Sequence, residues 1–294
     1  MITVAEAFDI FRQRLELSET EQKDASRRHR DVRECIGAKF DIERDFLSGS
    51  YARHTKTKPL KDVDIFFCLG SKEQHWRKKH PHEVLNAFQT RLGDKFGHDC
   101  VEPGRRCVTV EFEKRNPTAD EEGKVLSNDA VPAYDRGNCY EIPDRNLGKW
   151  IKTSPDKHSD LSTAKNKALG GKWVPLVKML KRWNRSAGKP ISPSFLIEIM
   201  AVDLVDPPFS SYPNEIRTFF ANGLTAILQD WPDPAGLGPP VSDQMTAHKH
   251  QQAVETLRRA EVKAARAVEL ERQGKTSEAL ALWREVMGKY FPTG

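Results

Sequence analysis

Apolar residues recur at helical spacing from the start of the chain. Val4, Ala7, Phe8, Ile10, Phe11 and Leu15 line one face, and Val32, Cys35, Ile36 and Phe40 repeat the pattern, so residues 3–45 read mostly as helix. The period then shortens. "DVDIFFCL" (62–69) is brief, apolar and rich in β-formers, and Gly70-Ser71 ends it, which predicts a strand. Residues 80–96 turn helical again, with Val84, Leu85, Phe88 and Leu92 on one side. Strands are predicted over 106–114, where Cys107/Val108, Val110 and Phe112 alternate, and over 124–134, with Pro132 as the stop. A turn at 116–123 joins them, and 135–160 reads as loop. From 162 to 188 Trp173, Val177, Leu180, Lys181 and Asn184 follow one another around a helix. A further apolar helix is predicted over 192–205, with Ser192 as N-cap and Pro193 at its first position. Two helices separated by Gly274 fill 243–290. A helix, then strands with a helix, then helices alone define the α+β class. The predicted division is 1–160, holding a small mixed sheet and the N-terminal helix, and 161–294, all helical.

With 294 residues, 38% hydrophobic and 30% charged, the chain can bury a sizeable core and is not of disordered composition. Its formal net charge of +5 suits an enzyme of polyanionic small molecules or a weak nucleic-acid binder without choosing between them, and argues only mildly against a long RNA. The five cysteines are scattered and odd in number, which predicts free thiols in a reducing compartment. The N-terminal segment carries acidic residues where a signal peptide needs a basic start, and no apolar run approaches the ~18 residues of a membrane span. A cytoplasmic protein without membrane contact is expected.

Asp62 and Asp64 break the apolar run of the second predicted element. Strand alternation sends both to one face, roughly 6–7 Å apart. Like charges this close repel unless a cation sits between them, and divalent magnesium takes such oxygen ligands together with substrate phosphates. The competing reading is an edge strand with one wet face. Upstream, Gly49-Ser50 offers open backbone N–H groups and a hydroxyl to a phosphate, and Arg53, Lys56, Lys58 and Lys61 follow in the connecting loop.

This arrangement, Gly49-Ser50 followed by Asp62-Val63-Asp64, resembles the polymerase-β-like nucleotidyltransferase superfamily. The resemblance implies a third carboxylate on a neighbouring strand. Glu111, Glu113 and Asp129 are the candidates, and "Asp129-Ala130-Val131-Pro132-Ala133" fits the branch that makes oligonucleotide second messengers, so Asp129 is preferred. The stretches 140–155, 176–184, 193–201 and 272–292 resemble the bacterial cGAS/DncV-like nucleotidyltransferases of anti-phage signalling, with the clade named D as the nearest pattern. The implied catalytic set is Asp62, Asp64 and Asp129 on two Mg2+ ions, with Mn2+ able to substitute. The implied nucleotide contacts are Gly49, Ser50, Arg53, Lys178 or Lys181, Ser194 and, as a stacking ring, Phe195. By pattern alone, the two lysines read equally as a solvated helix face and Phe195 as core.

The implied activity joins ATP, GTP or other nucleoside triphosphates into a cyclic di- or trinucleotide for anti-phage defence, releasing pyrophosphate. The alternative is a template-free transferase acting on RNA or a small-molecule acceptor; a third reading is a degenerate fold that binds nucleotides without turnover. His75, His80, His82, His98 and Cys100 lack zinc-ligand spacing, and the basic residues of 258–266 alternate with glutamates as on a solvated helix. In related operons a ubiquitin-transfer-like enzyme conjugates the cyclase through its last residue. Gly294, beyond the helix stop at Pro292, is the expected site, on a tail of Thr293-Gly294 that should hang free.

Overall fold

The computed structural model describes residues 2–58, 60, 63–112 and 127–293. The chain forms two compact units, Leu17–Ser159 and Met1–Glu16 with Asp160–Gly294.

The first unit is built on a mixed sheet. Helix α2 (Glu19–Gly37) leads into β1 (Ile42–Leu47), a single helical turn α3 (Gly49–Ala52), β2 (Val63–Leu69), α4 (Pro81–Phe96), β3 (Val101–Pro103), β4 (Val108–Glu111), β5 (Ser127–Asp135), β6 (Tyr140–Asp144) and β7 (Lys149–Thr153). The order is β1-β2-β5-β4-β3, with β6 pairing with both β5 and β7. β2 and β5 run parallel and the other ladders are antiparallel. Alternation divides β2 between two cores. Ile65, Phe67 and Leu69 pack under α2 and α4 with Val32, Ile36, Leu85 and Phe88. Phe66 and Cys68 face the other way, against Val131, Ala133, Tyr140 and Ile142. β2 lies between β1 and β5, so it is not the edge strand of the competing reading.

The sequence pattern erred at three places here. β1, β6 and β7 occupy stretches read as helix or loop. Pro132 does not end β5, which continues to Asp135. β4 pairs with Ser127–Ala130 and β6 with Tyr134–Asp135, so Pro132 falls between two ladders, where a missing N–H on that side leaves no bond unmade. Residues 113–126 lie outside the described residues, and the predicted turn and Glu113 with them.

The second unit joins α1 (Val4–Arg14) to α5 (Pro155–Ala168, which begins in the first unit), α6 (Trp173–Ser186), α7 (Phe195–Leu204), α8 (Tyr212–Ala226), α9 (Ala247–Arg272) and α10 (Thr276–Met287). A Thr3 capping box starts α1. Its apolar face packs into the helical core: Phe8 lies 5.0 Å edge-on from both Trp283 and Phe291, and Phe11 lies 5.4 Å from Phe291. The first helix therefore groups with the C-terminal helices and not with the sheet, because its buried ring partners come from the end of the chain. α7 starts at Phe195 with Ser194 as N-cap, not at Pro193. The Asn184 side chain bonds both Ile191 N–H (3.0 Å) and Ile191 C=O (2.9 Å), which holds the preceding segment out of the helix. Pro292 is buried and Thr293 exposed, while Gly294 lies outside the described residues. Among the described residues no helix is long and apolar enough to cross a membrane.

Candidate active site

Register brings two of the expected carboxylates together. Asp64 is the direct partner of Asp129 across the β2–β5 ladder, and Asp129 is in turn the partner of Thr109 on β4. Cross-strand partners share a face, so Asp64, Asp129 and Thr109 form a row over three adjacent strands. The Thr109 hydroxyl donates to Asp129 Oδ1 at 2.5 Å. Asp64 and Asp129 are both half-buried, at the open end of a face that closes further along on Phe66 and Val131. Asp62 lies outside the described residues. Glu111 shares the face but pairs with Ser127, and β5 separates its strand from β2. At about 4.8 Å per strand step, this puts its backbone roughly 10 Å from β2.

Gly49 holds its place for a different reason than an open N–H. It sits at φ +59°, and a Cβ built there would overlap Asp64 Oδ2. Only a residue without a side chain lets that carboxylate lie against the turn. Ser48 N–H donates to Asp64 C=O at 2.9 Å, so β2 and the turn are tied at the same point. The Ser50 carbonyl accepts from Thr55 N–H (3.0 Å) and Lys56 N–H (3.1 Å), closing the loop back on itself.

The described cations of this loop, Arg53, Lys56 and Lys58, are engaged within the unit. Arg53 is buried at the C-terminus of α3. Lys56 Nζ lies 3.8 Å above the Tyr51 ring, and Lys58 Nζ lies 3.0 Å from the buried carboxylate of Glu21. Lys61 lies outside the described residues. Further along the same face, burial pushes the Cys68 thiol up to about 11, which keeps it protonated and unreactive.

In the helical unit, Lys178 and Lys181 are buried rather than solvated. Lys178 Nζ contacts both Glu16 carboxylate oxygens at 2.7 Å, and Lys181 Nζ lies 2.5 Å from Glu198, which is itself fully buried. Ser194 makes no side-chain capping bond. Phe195 is half-buried against the helical core.

Pattern reading missed Thr109. Its signal was the alternation in "CVTVEF", which sets Thr109 on the face of Glu111 and opposite the core face of Val108 and Val110.

The carboxylates supply hard oxygen donors from neighbouring strands, and Gly49 vacates the space the Asp64 side chain uses. This donor set fits a divalent cation such as magnesium.

Residues 1–166 match the family described as "Second Messenger Oligonucleotide or Dinucleotide Synthetase domain". A "Cyclic AMP-AMP-AMP synthase" of an Acinetobacter strain is 29% identical over 303 residues, covering 95% of this chain and 82% of that protein. The solved E. coli MS115-1 CdnC with ATP superposes with a TM-score of 0.71 at 18% identity, covering 99% of both chains. The Bradyrhizobium diazoefficiens CD-NTase CdnG with GTP gives a TM-score of 0.72 at 15% identity, covering 96% of this chain and 94% of that one. The polymerase-β-like α+β fold expected from the sequence is the fold of these structures.

Proposed function

This chain belongs to the Second Messenger Oligonucleotide or Dinucleotide Synthetase family, the bacterial cGAS/DncV-like nucleotidyltransferases, and from that premise we propose how and where it joins nucleoside triphosphates into a cyclic oligonucleotide. The observation that carries the proposal is the register of Asp64 against Asp129, with Gly49 clearing the space beside Asp64. Asp64 and Asp129, with Asp62, would hold two Mg2+ ions, or Mn2+ in their place. When bound, the metal neutralises phosphate charge and favours ionisation of the attacking hydroxyl.

The reaction forms one bond and breaks one at each step. A ribose hydroxyl oxygen of one nucleotide attacks the α-phosphorus of the next triphosphate. The bond from that phosphorus to the bridging oxygen breaks, pyrophosphate leaves, and the hydroxyl proton passes to solvent. Repetition and a final intramolecular attack close the ring. Asp64 and Asp129 do their part through fixed strand positions, which need no rearrangement before the transfer. The nucleotide contacts proposed for Ser50, Arg53, Lys178, Lys181, Ser194 and Phe195 rest on the sequence resemblance and are open to substitution.

ATP is the proposed first substrate, because the Acinetobacter relative bears the name of an AMP-AMP-AMP cyclase and CdnC was solved with ATP; CdnG with GTP makes GTP the second to test. The product is read as a second messenger of anti-phage defence. Membership of an oligonucleotide and dinucleotide synthetase family sets aside the RNA-acceptor and small-molecule-acceptor alternative. A ubiquitin-transfer-like partner acting at Gly294 belongs to the same reading, and an adduct mapped to Gly294 from cells is its test. Incubating the purified protein with Mg2+ and each labelled triphosphate, then treating with phosphatase and resolving products by mass, tests the main proposal. A resistant cyclic product is expected; exclusively linear, phosphatase-sensitive products or no turnover would overturn it.

A further inference from the structure

Thr109 stands on the far side of Asp129 from Asp64, because β5 lies between β2 and β4. Its neighbours Val108 and Val110 are fully buried in the core under α2 and α4, on the opposite face of the sheet. Valine would serve a β-strand at position 109 as well as threonine does on propensity grounds. The hydroxyl therefore needs its own account, and the 2.5 Å bond to Asp129 Oδ1 supplies one.

A carboxylate on a single-bonded stem can rotate, and a cation ligand that rotates loses affinity. Carboxylates that hold metals are accordingly hydrogen-bonded in turn by neighbours that fix their plane. A donor on Oδ1 restrains that rotation and ties the carboxylate to the row that Thr109, Asp129 and Asp64 form. We propose that Thr109 is a positioning residue for nucleotidyl transfer, its hydroxyl orienting Asp129 toward a divalent cation shared with Asp64. Thr109 touches neither substrate nor metal on this account. The inference rests on the assignment of Asp64 and Asp129 as the metal carboxylates.

The test titrates Mn2+ alone into the metal-stripped full chain and reads unbound Mn2+ by electron paramagnetic resonance. Thr109→Val keeps the shape and removes the hydroxyl; Thr109→Ser keeps the hydroxyl. Thr109→Val should weaken Mn2+ binding about tenfold or more, while its melting temperature stays near that of the wild type and Thr109→Ser binds nearly as the wild type does. The Mg2+ concentration for half-maximal turnover should shift in the same direction. Unchanged Mn2+ affinity in Thr109→Val, or equal losses in the valine and serine variants, would overturn the proposal. Thr109→Ala and Thr109→Ser, which differ by one hydroxyl, give a second comparison, and equal affinities there would overturn it as well. Asp129→Asn is the control for the assignment beneath it. Wild-type affinity in that variant, or no binding by the wild type, would remove the metal assignment itself and the role of Thr109 with it.

Discussion

Asp64 faces Asp129 across the parallel β2–β5 ladder, one strand step away on the same side of the sheet. Their proximity is unfavourable for the bare protein, since adjacent carboxylates repel. Asp64→Asn or Asp129→Asn should therefore leave the melting temperature unchanged or raised while reducing turnover by more than the about 10–100-fold typical of an outer-shell loss. Glu111→Gln, two strands from β2, should retain activity. Scanning calorimetry and product formation on the same preparations check both halves. An inactive Glu111→Gln beside an active Asp129→Asn would relocate the third carboxylate.

Gly49→Ala probes the turn. The added methyl would overlap Asp64 Oδ2 at a backbone φ of +59°. The left-handed conformation costs a non-glycine residue roughly 1–2 kcal/mol, and the carboxylate must move aside. Denaturant unfolding should show a loss of that size, and turnover should fall out of proportion to it. Wild-type turnover would mean that Asp64 works from another position.

Lys181 and Glu198 form a pair buried to 6% and 1% side-chain exposure. Removing one partner takes the ion-pair contact from a buried charge, so Glu198→Gln or Lys181→Met should cost up to about 3–5 kcal/mol by denaturant unfolding. The double variant Lys181→Met with Glu198→Leu should regain most of it. If Lys181 also contacts nucleotide, the double variant folds without turning over. Activity restored along with stability would take Lys181 out of the nucleotide-binding set.

Asp144 links stability to pH. Burial raises its proton affinity, but bonds from Arg105, Leu147 N–H and Arg106 outweigh that and hold it below the usual carboxylate range. A depressed folded-state pKa gives stability that is full above the unfolded value of about 3.9 and lost as pH falls through the folded one. Asp144→Asn should therefore be clearly less stable than the wild type at pH 7, with the gap narrowing below about pH 4. Acid-titrated unfolding curves check this, and a gap independent of pH would show that the charge is not what Asp144 contributes.

Elements that carry one strong apolar period were legible in the sequence. β2 and α4 fall within one residue of where their patterns put them, β4 and the α9–α10 pair lie inside the longer stretches read for them, and Gly274 breaks the last pair as read. β1 was not legible, because "IERDFL" places three charges in succession. Their partners come from elsewhere in the first unit: Asp45 meets His29 and Arg33, and Arg44 meets Asp135 and the Tyr140 hydroxyl. Pro143 disguised β6, where it sits as the register partner of Trp150. At the site, the spacing of Gly49 and Asp64 could be read, but their contact could not, since it depends on the turn folding onto β2. Thr109 was hidden for the same reason: its partner lies on another strand. The burial of Lys178 and Lys181 was equally invisible, because Glu16 and Glu198 are supplied by other parts of the helical unit.

The grouping of α1 with the C-terminal helices has a consequence for synthesis. Phe8 and Phe11 leave the ribosome long before Trp283 and Phe291, the rings they pack against. At about 5–20 residues per second the first helix waits roughly a quarter of a minute to a minute for its partners, long enough for the Leu17–Ser159 unit to fold between the two halves of the other. A chain cut at the boundary before Asp160 would thus carry an unpaired aromatic face on the sheet fragment and leave a hole in the helical one. Separately expressed halves should need the first sixteen residues moved across, as a circular permutation would do.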